Sequence, residues 1–280
     1  LLTFDIPQEI RVRFRSMIMS IFWRELKINV KPFVFWGLGI FVLMVASMAK
    51  YQGLSAGGTA ISQMLTAFPK PIQAMFGMVG VNVMTLPGYY AVVMTYAYIC
   101  SAIYGISLGS HAVGREIADH TNEFLLSKPI SRVHILTCKL VPGAFYVCAL
   151  SVLSYLFSLL SFSLYHMKVD FSREVLLFNI AMAVIGLVFY SLSAFLLSVL
   201  KNTEKGYLYS NLIFVWSFIV GIAYDMLEKG EFMRIFSPLR YFTAKEIVAG
   251  EFNGMYLAAS CVIIIASTVC SYLFFNKRDM

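Results

Sequence analysis

The sequence predicts an all-α integral membrane protein with six transmembrane helices, forming a single domain over residues 1–280. Hydrophobic residues make up 59% of the chain and charged residues only 13%, whereas soluble domains carry about a quarter charged residues. The mean hydropathy is +0.76. Six uncharged runs reach the ~20 residues that a membrane-spanning helix needs, and they are too long for the strands of a membrane barrel. The predicted spans are 33–49, 89–112, 141–166, 175–200, 207–224 and 255–275.

The stretch before the first span, residues 6–31, predicts an amphipathic helix that lies in the membrane interface. Its apolar residues recur at helical spacing, with arginines on the other faces. A cytosolic helix packed on nothing is the alternative. Ser47-Met48-Ala49 resembles a signal-peptide cleavage site, but the charged region before the first span is too long for a signal, so we expect this span to remain. The apolar residues of the stripe are Ile10, Phe14, Met17, Ile18, Ile21 and Phe22.

Two long loops join spans on the side opposite the termini. Residues 50–88 are uncharged for most of their length and contain the apolar run "IQAMFGMVGV", which predicts a re-entrant or surface helix. Packing and the lining of a substrate exit are both compatible with it. Residues 225–254 carry five acids and four bases without a cluster, which predicts a solvated surface. Within this loop, Ser237-Pro238 predicts a turn before a short helix that Gly250 ends.

The net charge is +7, and most of the basic residues that produce it lie beside the spans. Of the 22 Lys and Arg residues, 14 lie before the first span, between spans 2 and 3, between spans 4 and 5, or after the last span. Because cytoplasmic loops are enriched in Lys and Arg, we expect both termini to be cytoplasmic, and we expect no nucleic-acid partner. The five cysteines lie in or beside spans, which predicts neither a disulfide framework nor a metal site.

The sequence shows no catalytic constellation. The predicted spans contain no Asp, Glu, Lys or Arg, which lowers the case for an ion-coupled transporter, although not for one that coordinates ions through backbone carbonyls. No phosphate-binding GxxxxGK[ST] loop is present. If the chain moves a substrate uphill, we therefore expect another polypeptide to supply the energy. We predict that this chain is not an enzyme and binds no cofactor itself.

Residues 115–132, "REIADHTNEFLLSKPISR", are the most polar long stretch between two spans. Apolar and polar positions separate onto different faces, which predicts an amphipathic helix over 115–128. Pro129 disfavours helix at the preceding residue, and Ser131 can cap the helix of span 3. Composition alone equally allows a plain charged loop. One face carries Ile117, Thr121, Phe124 and Leu125, and the other faces carry Glu116, Asp119, His120 and Glu123.

The segment "GSHAVGREIADHTNEFLLSKPISRVHILTCKL" resembles the signature of permease subunits of ATP-binding-cassette (ABC) transporters in the ABC-2, or type 2 exporter, family. It has an acid after span 2, a Thr-x-Glu-x-Leu-Leu step, Pro-x-Ser-Arg and a Lys at the start of span 3. The resemblance extends to both outer loops and to the basic N-terminal helix, so it covers nearly the whole chain. The matching positions are Glu116, Thr121, Glu123, Leu125, Leu126, Pro129, Ser131, Arg132 and Lys139.

The resemblance implies a permease that pairs with a second permease subunit, expected to be a second copy, and with two cytoplasmic ATPase subunits that bind ATP and Mg. Residues 6–31 would be the elbow helix, and residues 115–128 the coupling helix seated in an ATPase groove. The implied ATPase-coupling residues are Arg115, Glu116, Asp119, Thr121, Glu123, Phe124, Leu125, Pro129 and Arg132.

Relatives of this kind serve efflux, including antibiotic resistance, in the bacterial cytoplasmic membrane. The uncharged spans favour a hydrophobic or amphipathic cargo such as an antibiotic or other drug, a peptide or a lipid. ATPase-coupled sodium efflux is one alternative. The other is a non-transporting membrane sensor that docks a cytoplasmic partner through residues 115–128.

Overall fold

Six long helices make up most of the computed structural model, which describes residues 8–56, 67–118, 131–200, 202–227 and 230–277, without the side chains of 8–16, 55–56 and 116–118. Each of the six is long and apolar enough to cross a membrane, which confirms the predicted architecture. The long helices are α1 (Gln8–Ala56), α3 (Leu86–Ala118), α4 (Arg132–Leu164), α5 (Ser172–Val199), α6 (Thr203–Met226) and α9 (Gly254–Lys277). The short ones are α2 (Lys70–Met75), α7 (Glu231–Ile235), α8 (Ala244–Val248) and a 3-10 turn at Pro238–Arg240.

The centre of the bundle is the pair α3 and α5, which make the most extensive helix–helix contact in the described structure. In their most apolar stretches, 67% of the α3 residues and 61% of the α5 residues are buried, against 22% or fewer in α1, α6 and α9. Small residues allow this approach. A Cβ added at Gly105 would overlap the carbonyl of Gly186, and one at Gly109 would overlap the carbonyl of Tyr190.

The first helix is continuous, so the predicted break between an N-terminal helix at 6–31 and a span at 33–49 is not seen. Pro32 lies inside it. Buried positions form one stripe from Ile21 to Met48, and α1 packs on α4 through it. They recur every three or four residues, except that Phe33 in this series is only partly buried. The apolar residues near Ile21 contact Ile135 and Cys138 of α4. One long packing face therefore extends through residues that the sequence divided between two helices.

The loop between α6 and α9 folds back along α6. The Ser237 hydroxyl donates to the Ser217 carbonyl at 2.7 Å, and the Leu239 amide donates to the Ser217 hydroxyl at 3.4 Å. Ser217 precedes the end of α6 at Met226 by nine residues, which corresponds to about 13 Å along the helix. The predicted turn at Ser237-Pro238 is confirmed.

The prediction that residues 225–254 form a solvated surface is wrong for the centre of this loop, although Glu231, Lys245 and Glu251 are exposed. Only 3% of Arg234 is exposed, and the ion pair between Arg240 and Asp225 is also largely shielded. Two acid–base pairs, Arg234 with Glu246 and Arg240 with Asp225 at the end of α6, compensate the cost of burying these charges. The short helix α8 and the turn at Gly250, whose φ is +77°, lie where the sequence placed them.

The other long loop contributes α2, which packs on α6. Ala74 of α2 is buried, and turns at Gly77 and Gly80, with φ of +69° and +76°, lead into α3. Residues 57–66 lie outside the described part of the chain. The short helix α2 agrees with the helical element predicted for this loop. That it re-enters the membrane stays a prediction.

Candidate coupling site

The two ends of the bundle differ in what they carry. We call the end where α3 finishes, α4 begins and α9 finishes the basic end, and the opposite end, covered by α2, α7 and α8, the capped end. At the basic end, Arg115 and Arg132 flank residues 119–130, which lie outside the described residues. Both arginines contact other helices, so both flanks of the segment are fastened to the bundle.

On the α3 side, Arg115 pairs with a carboxylate from α1. Arg115 Nη1 lies 3.3 Å from Glu25 Oε2, and Arg24 Nη2 lies 3.3 Å from Glu25 Oε1. The Glu25 side chain is 2% exposed. Because a buried carboxylate is costly unless it is paired, Glu25 favours an arrangement in which the last turns of α3 contact α1.

A second contact between helices, which we also call a tie, joins α4 to the same part of α3. Lys139, 3% exposed, donates from Nζ to the carbonyl oxygen of Ala112 at 3.0 Å. The sequence identified Lys139 as part of the ABC-2 signature, and the structure shows that it is buried between α3 and α4.

On the α4 side, the side chain of Ser131 accepts a hydrogen bond from the His134 amide at 3.5 Å, which confirms Ser131 as the predicted N-cap. Its hydroxyl also lies 2.5 Å from His134 Nδ1. Arg132 Nη1 donates to the Asn276 carbonyl of α9 at 3.3 Å. The start of α4 is thus held both by its own cap and by the last turn of α9.

The structure gives side-chain geometry for two of the predicted coupling residues, Arg115 and Arg132. Glu116 lies in the last turn of α3, and its side chain is not described. Helix α3 continues through Gly114 to Ala118, so the first residues of the predicted 115–128 helix belong to α3. The remaining predicted residues lie outside the described part of the chain: Asp119, Thr121, Glu123, Phe124, Leu125 and Pro129.

Glu25 is a site residue that sequence reasoning missed. It falls on the buried stripe of α1 with Ile21 and Asn29, at spacings of four residues. An acid on the apolar face of a long helix, with bases on its other faces, is the signal that predicts a buried ion pair.

The capped end contains a second ionic centre around Arg234. Its guanidinium binds both carboxylate oxygens of Glu246, with Nη1 to Oε1 at 2.6 Å. It also donates to the carbonyls of Arg240 and Tyr241, each at 3.0 Å. The Tyr256 ring lies 4.0 Å from the guanidinium carbon, a cation–π geometry. Arg234 therefore holds the returning loop against α8 and the start of α9.

This pairing determines the charge state of both groups. Burial opposes ionisation of Glu246, but hydrogen bonds and the charge of Arg234 outweigh it, so the pKa of Glu246 lies below its ordinary value. Burial likewise disfavours the charged guanidinium, but the hydrogen bonds and the negative charge of Glu246 outweigh this effect, so the pKa of Arg234 is raised. The pair stays ionised at neutral pH.

Six apolar helices, with ionic ties that join the ends of distant helices, define a multi-pass membrane protein. Residues 19–280 match the family model described as ABC-2 family transporter protein, and the chain belongs to that family. Membership makes it the membrane component, a permease, of an ABC transporter, a system that includes a partner ATPase. The search of curated proteins found no match.

Proposed function

We propose that the chain is the membrane-spanning half of an ATP-driven exporter for a hydrophobic or amphipathic cargo. Two copies pair, and two separate ATPase subunits bind at the basic end. The observation that carries this proposal is the family match, because it includes all six spans and the segment between α3 and α4.

The basic end is the cytoplasmic end in this proposal. Fourteen of the 22 Lys and Arg residues belong to the termini and loops of that side, as the positive-inside rule requires for cytoplasmic loops. An even number of spans returns the chain to the side on which it entered, so both termini are cytoplasmic. The membrane is the bacterial cytoplasmic membrane, and the capped end faces outward.

The ATPase contact is the segment 115–128. A short helix with separated apolar and charged faces can dock in a groove of a partner while its charges fix the register. The fastened flanks support this role, because a displaced segment moves neighbouring helices only if its base is firm. Arg115 and Arg132 lie at these two flanks.

The character of the bundle interior supports an apolar cargo. Its polar groups include hydroxyls and an amide, such as Tyr90, Ser158 and Asn179, joined by hydrogen bonds of 3.0 and 3.2 Å. Ion-coupled transporters usually place ionisable side chains along the substrate path within the membrane, whereas the buried Glu25 and Lys139 lie beside the basic end and bind protein groups there. A lipid, drug or peptide with a large apolar surface requires no ionisable side chain as a partner within the membrane. We therefore rank a hydrophobic or amphipathic cargo ahead of sodium.

The first experiment is copurification of the tagged chain in mild detergent, with identification of stoichiometric partners and an assay of ATP hydrolysis. We expect an ATPase to copurify, and we expect Glu123→Lys to reduce its recovery at least about fivefold, equivalent to ~1 kcal/mol. Glu251→Lys reverses the charge of an exposed acid at the capped end and serves as the matched control. If no ATPase accompanies the wild-type chain, the exporter is excluded and the sensor becomes the better interpretation.

The cargo is tested in proteoliposomes that contain the complex. Phospholipids, amphiphilic drugs, peptide antibiotics and sodium are compared as stimulators of ATP hydrolysis. An apolar cargo predicts stimulation by an amphiphile at constant sodium. Stimulation by sodium alone would support the sodium-efflux alternative.

A further inference from the structure

The turns of α3 that immediately precede segment 115–128 are held from two sides. Arg115 pairs with Glu25 of α1, and the Ala112 carbonyl accepts from Lys139 of α4. These two contacts lie within four residues of each other on α3. They come from parts of the chain that are far apart, since Glu25 and Arg115 are separated by 90 residues and Ala112 and Lys139 by 27.

Each tie places a charge where water does not reach it. Glu25 and Lys139 are 2% and 3% exposed. Two buried charges cost several kcal/mol each unless partners compensate, so neither residue is explained by a general preference for charge at a membrane surface. Apolar side chains in the same positions would pack the helices without this cost, which points to a requirement for specific contacts between these helices.

The surrounding contacts join α1 to α4 beside these two residues. Tyr146 of α4 donates to the Leu26 carbonyl of α1 at 2.8 Å, one residue from Glu25. Ile21 of α1 packs on Ile135 and Cys138 of α4, beside Lys139. Residues 17–31 of α1, the end of α3 and the start of α4 are therefore connected through a single contiguous set of contacts.

We propose that Glu25 and Lys139 are positioning residues that transmit displacement of segment 115–128 to α1 and α4, so that three helices respond as one unit. The inference rests on the proposed exporter function. Through Arg115, Glu25 passes the movement to α1, and through the Ala112 carbonyl, Lys139 passes it to α4. Energetic coupling between distant parts of a protein can be carried by packed side chains and by hydrogen-bond or ion-pair networks, and the contacts of Glu25 and Lys139 complete such a network among α1, α3 and α4.

The test uses the reconstituted complex of permease and ATPase, and it begins with the wild-type chain. Failure of that chain to bind an ATPase contradicts the proposed function itself, before any variant is compared. With a working complex, Glu25→Gln and Lys139→Met remove one charge each at nearly constant size. We expect each to retain ATP hydrolysis within about twofold but to lower transport per ATP hydrolysed by about tenfold, or 1.4 kcal/mol.

Matched controls separate this effect from a general loss of charge. Glu231→Gln and Lys168→Met change exposed residues at the capped end and should leave transport per ATP unchanged. Glu25→Asp retains the carboxylate and should recover at least about half of the coupling. Equal coupling in Glu25→Gln and wild type would overturn the proposal, as would proportional loss of hydrolysis and transport in both charge-removal variants.

Hydrogen–deuterium exchange gives a readout that a purely structural role would not change. Binding of the ATPase with a non-hydrolysable nucleotide should alter exchange of residues 17–31 in the wild-type complex. The response should be absent in the Glu25→Gln complex, although exchange before nucleotide addition is similar. An unaltered nucleotide response in this variant contradicts transmission through Glu25, even if the variant is less stable.

Discussion

The two ends of the bundle bury arginine–carboxylate pairs in different ways. At the capped end, Arg234 and Glu246 are separated by 12 residues, and their contacts hold one loop in its folded-back position. At the basic end, Glu25 and Arg115 are separated by 90 residues and join two long helices. A short-range pair determines the shape of a loop, whereas a long-range pair makes the position of one helix depend on another.

The number of contacts differs as well. The Arg234 guanidinium has four protein hydrogen bonds and an aromatic ring beside it. The described contacts of Glu25 are single 3.3 Å contacts to each of two arginines. We therefore expect the capped end to contribute most to static stability, and the basic end to contribute contacts that connect helices which move together during a transport cycle.

The largest expected effect is that of Arg234→Ala. It removes all of these hydrogen bonds and leaves Glu246 and two carbonyls without their partner, so the free energy of unfolding should fall by about 3–5 kcal/mol. Reversible unfolding by SDS in mixed micelles measures it. Arg173→Ala, at an exposed position near the same end, should change it by less than about 0.5 kcal/mol. Similar values for the two variants would contradict the assigned role of Arg234.

Next in size is a change in the helix pair that connects the two ends. In Gly105→Ala the new methyl group would overlap the Gly186 carbonyl. This carbonyl belongs to the helix backbone and cannot rotate away as a flexible side chain would, so α3 and α5 must separate. Overpacking of this kind costs about 1–3 kcal/mol. Gly39→Ala is the matched control, because an added Cβ there has no neighbour within 4 Å. The control should be neutral or slightly stabilising, and the same unfolding assay compares the two.

A smaller effect is expected from pH at the capped end. The pKa of Glu246 is lowered in the folded protein, so its contribution is complete above the unfolded pKa of about 4.3 and is lost as pH falls through the folded value. Stability measured from neutral pH down to about pH 3 should therefore decline more for wild type than for Glu246→Gln. Parallel pH profiles would show that Glu246 is not the group responsible.

Much of the fold could be predicted from the sequence because the signals are strong. Runs of about 20 uncharged residues leave few alternatives to spanning helices, and all six are found. The turn at Ser237-Pro238 and the cap at Ser131 also follow from local chemistry, since one or two residues determine each of them.

The errors have a common physical cause. Residues 225–254 show mixed charges, and the sequence does not reveal that Arg234 and Glu246 lie within hydrogen-bond distance of each other. The same holds for Glu25 and Arg115, whose pairing depends on how α1 packs beside α3. Charged residues predict a solvated surface only when no partner is near, and the partner is determined by tertiary structure.

The smallest expected effect tests the basic end at a single exposed side chain, whose hydroxyl contacts both the amide and Nδ1 of His134. Ser131 accepts from the His134 amide at 3.5 Å, a long contact, so Ser131→Ala should cost about 0.5 kcal/mol, at the low end for N-caps. Ser172→Ala is the control, because Ser172 begins α5 without acting as a side-chain cap. Hydrogen exchange of amides 132–135 should accelerate in Ser131→Ala and not in the control. Because Arg132 still contacts α9, the effect should stay confined to the first turn of α4. Spread of the faster exchange along α3 would show instead that the cap, rather than Arg115 and Lys139, fastens the segment.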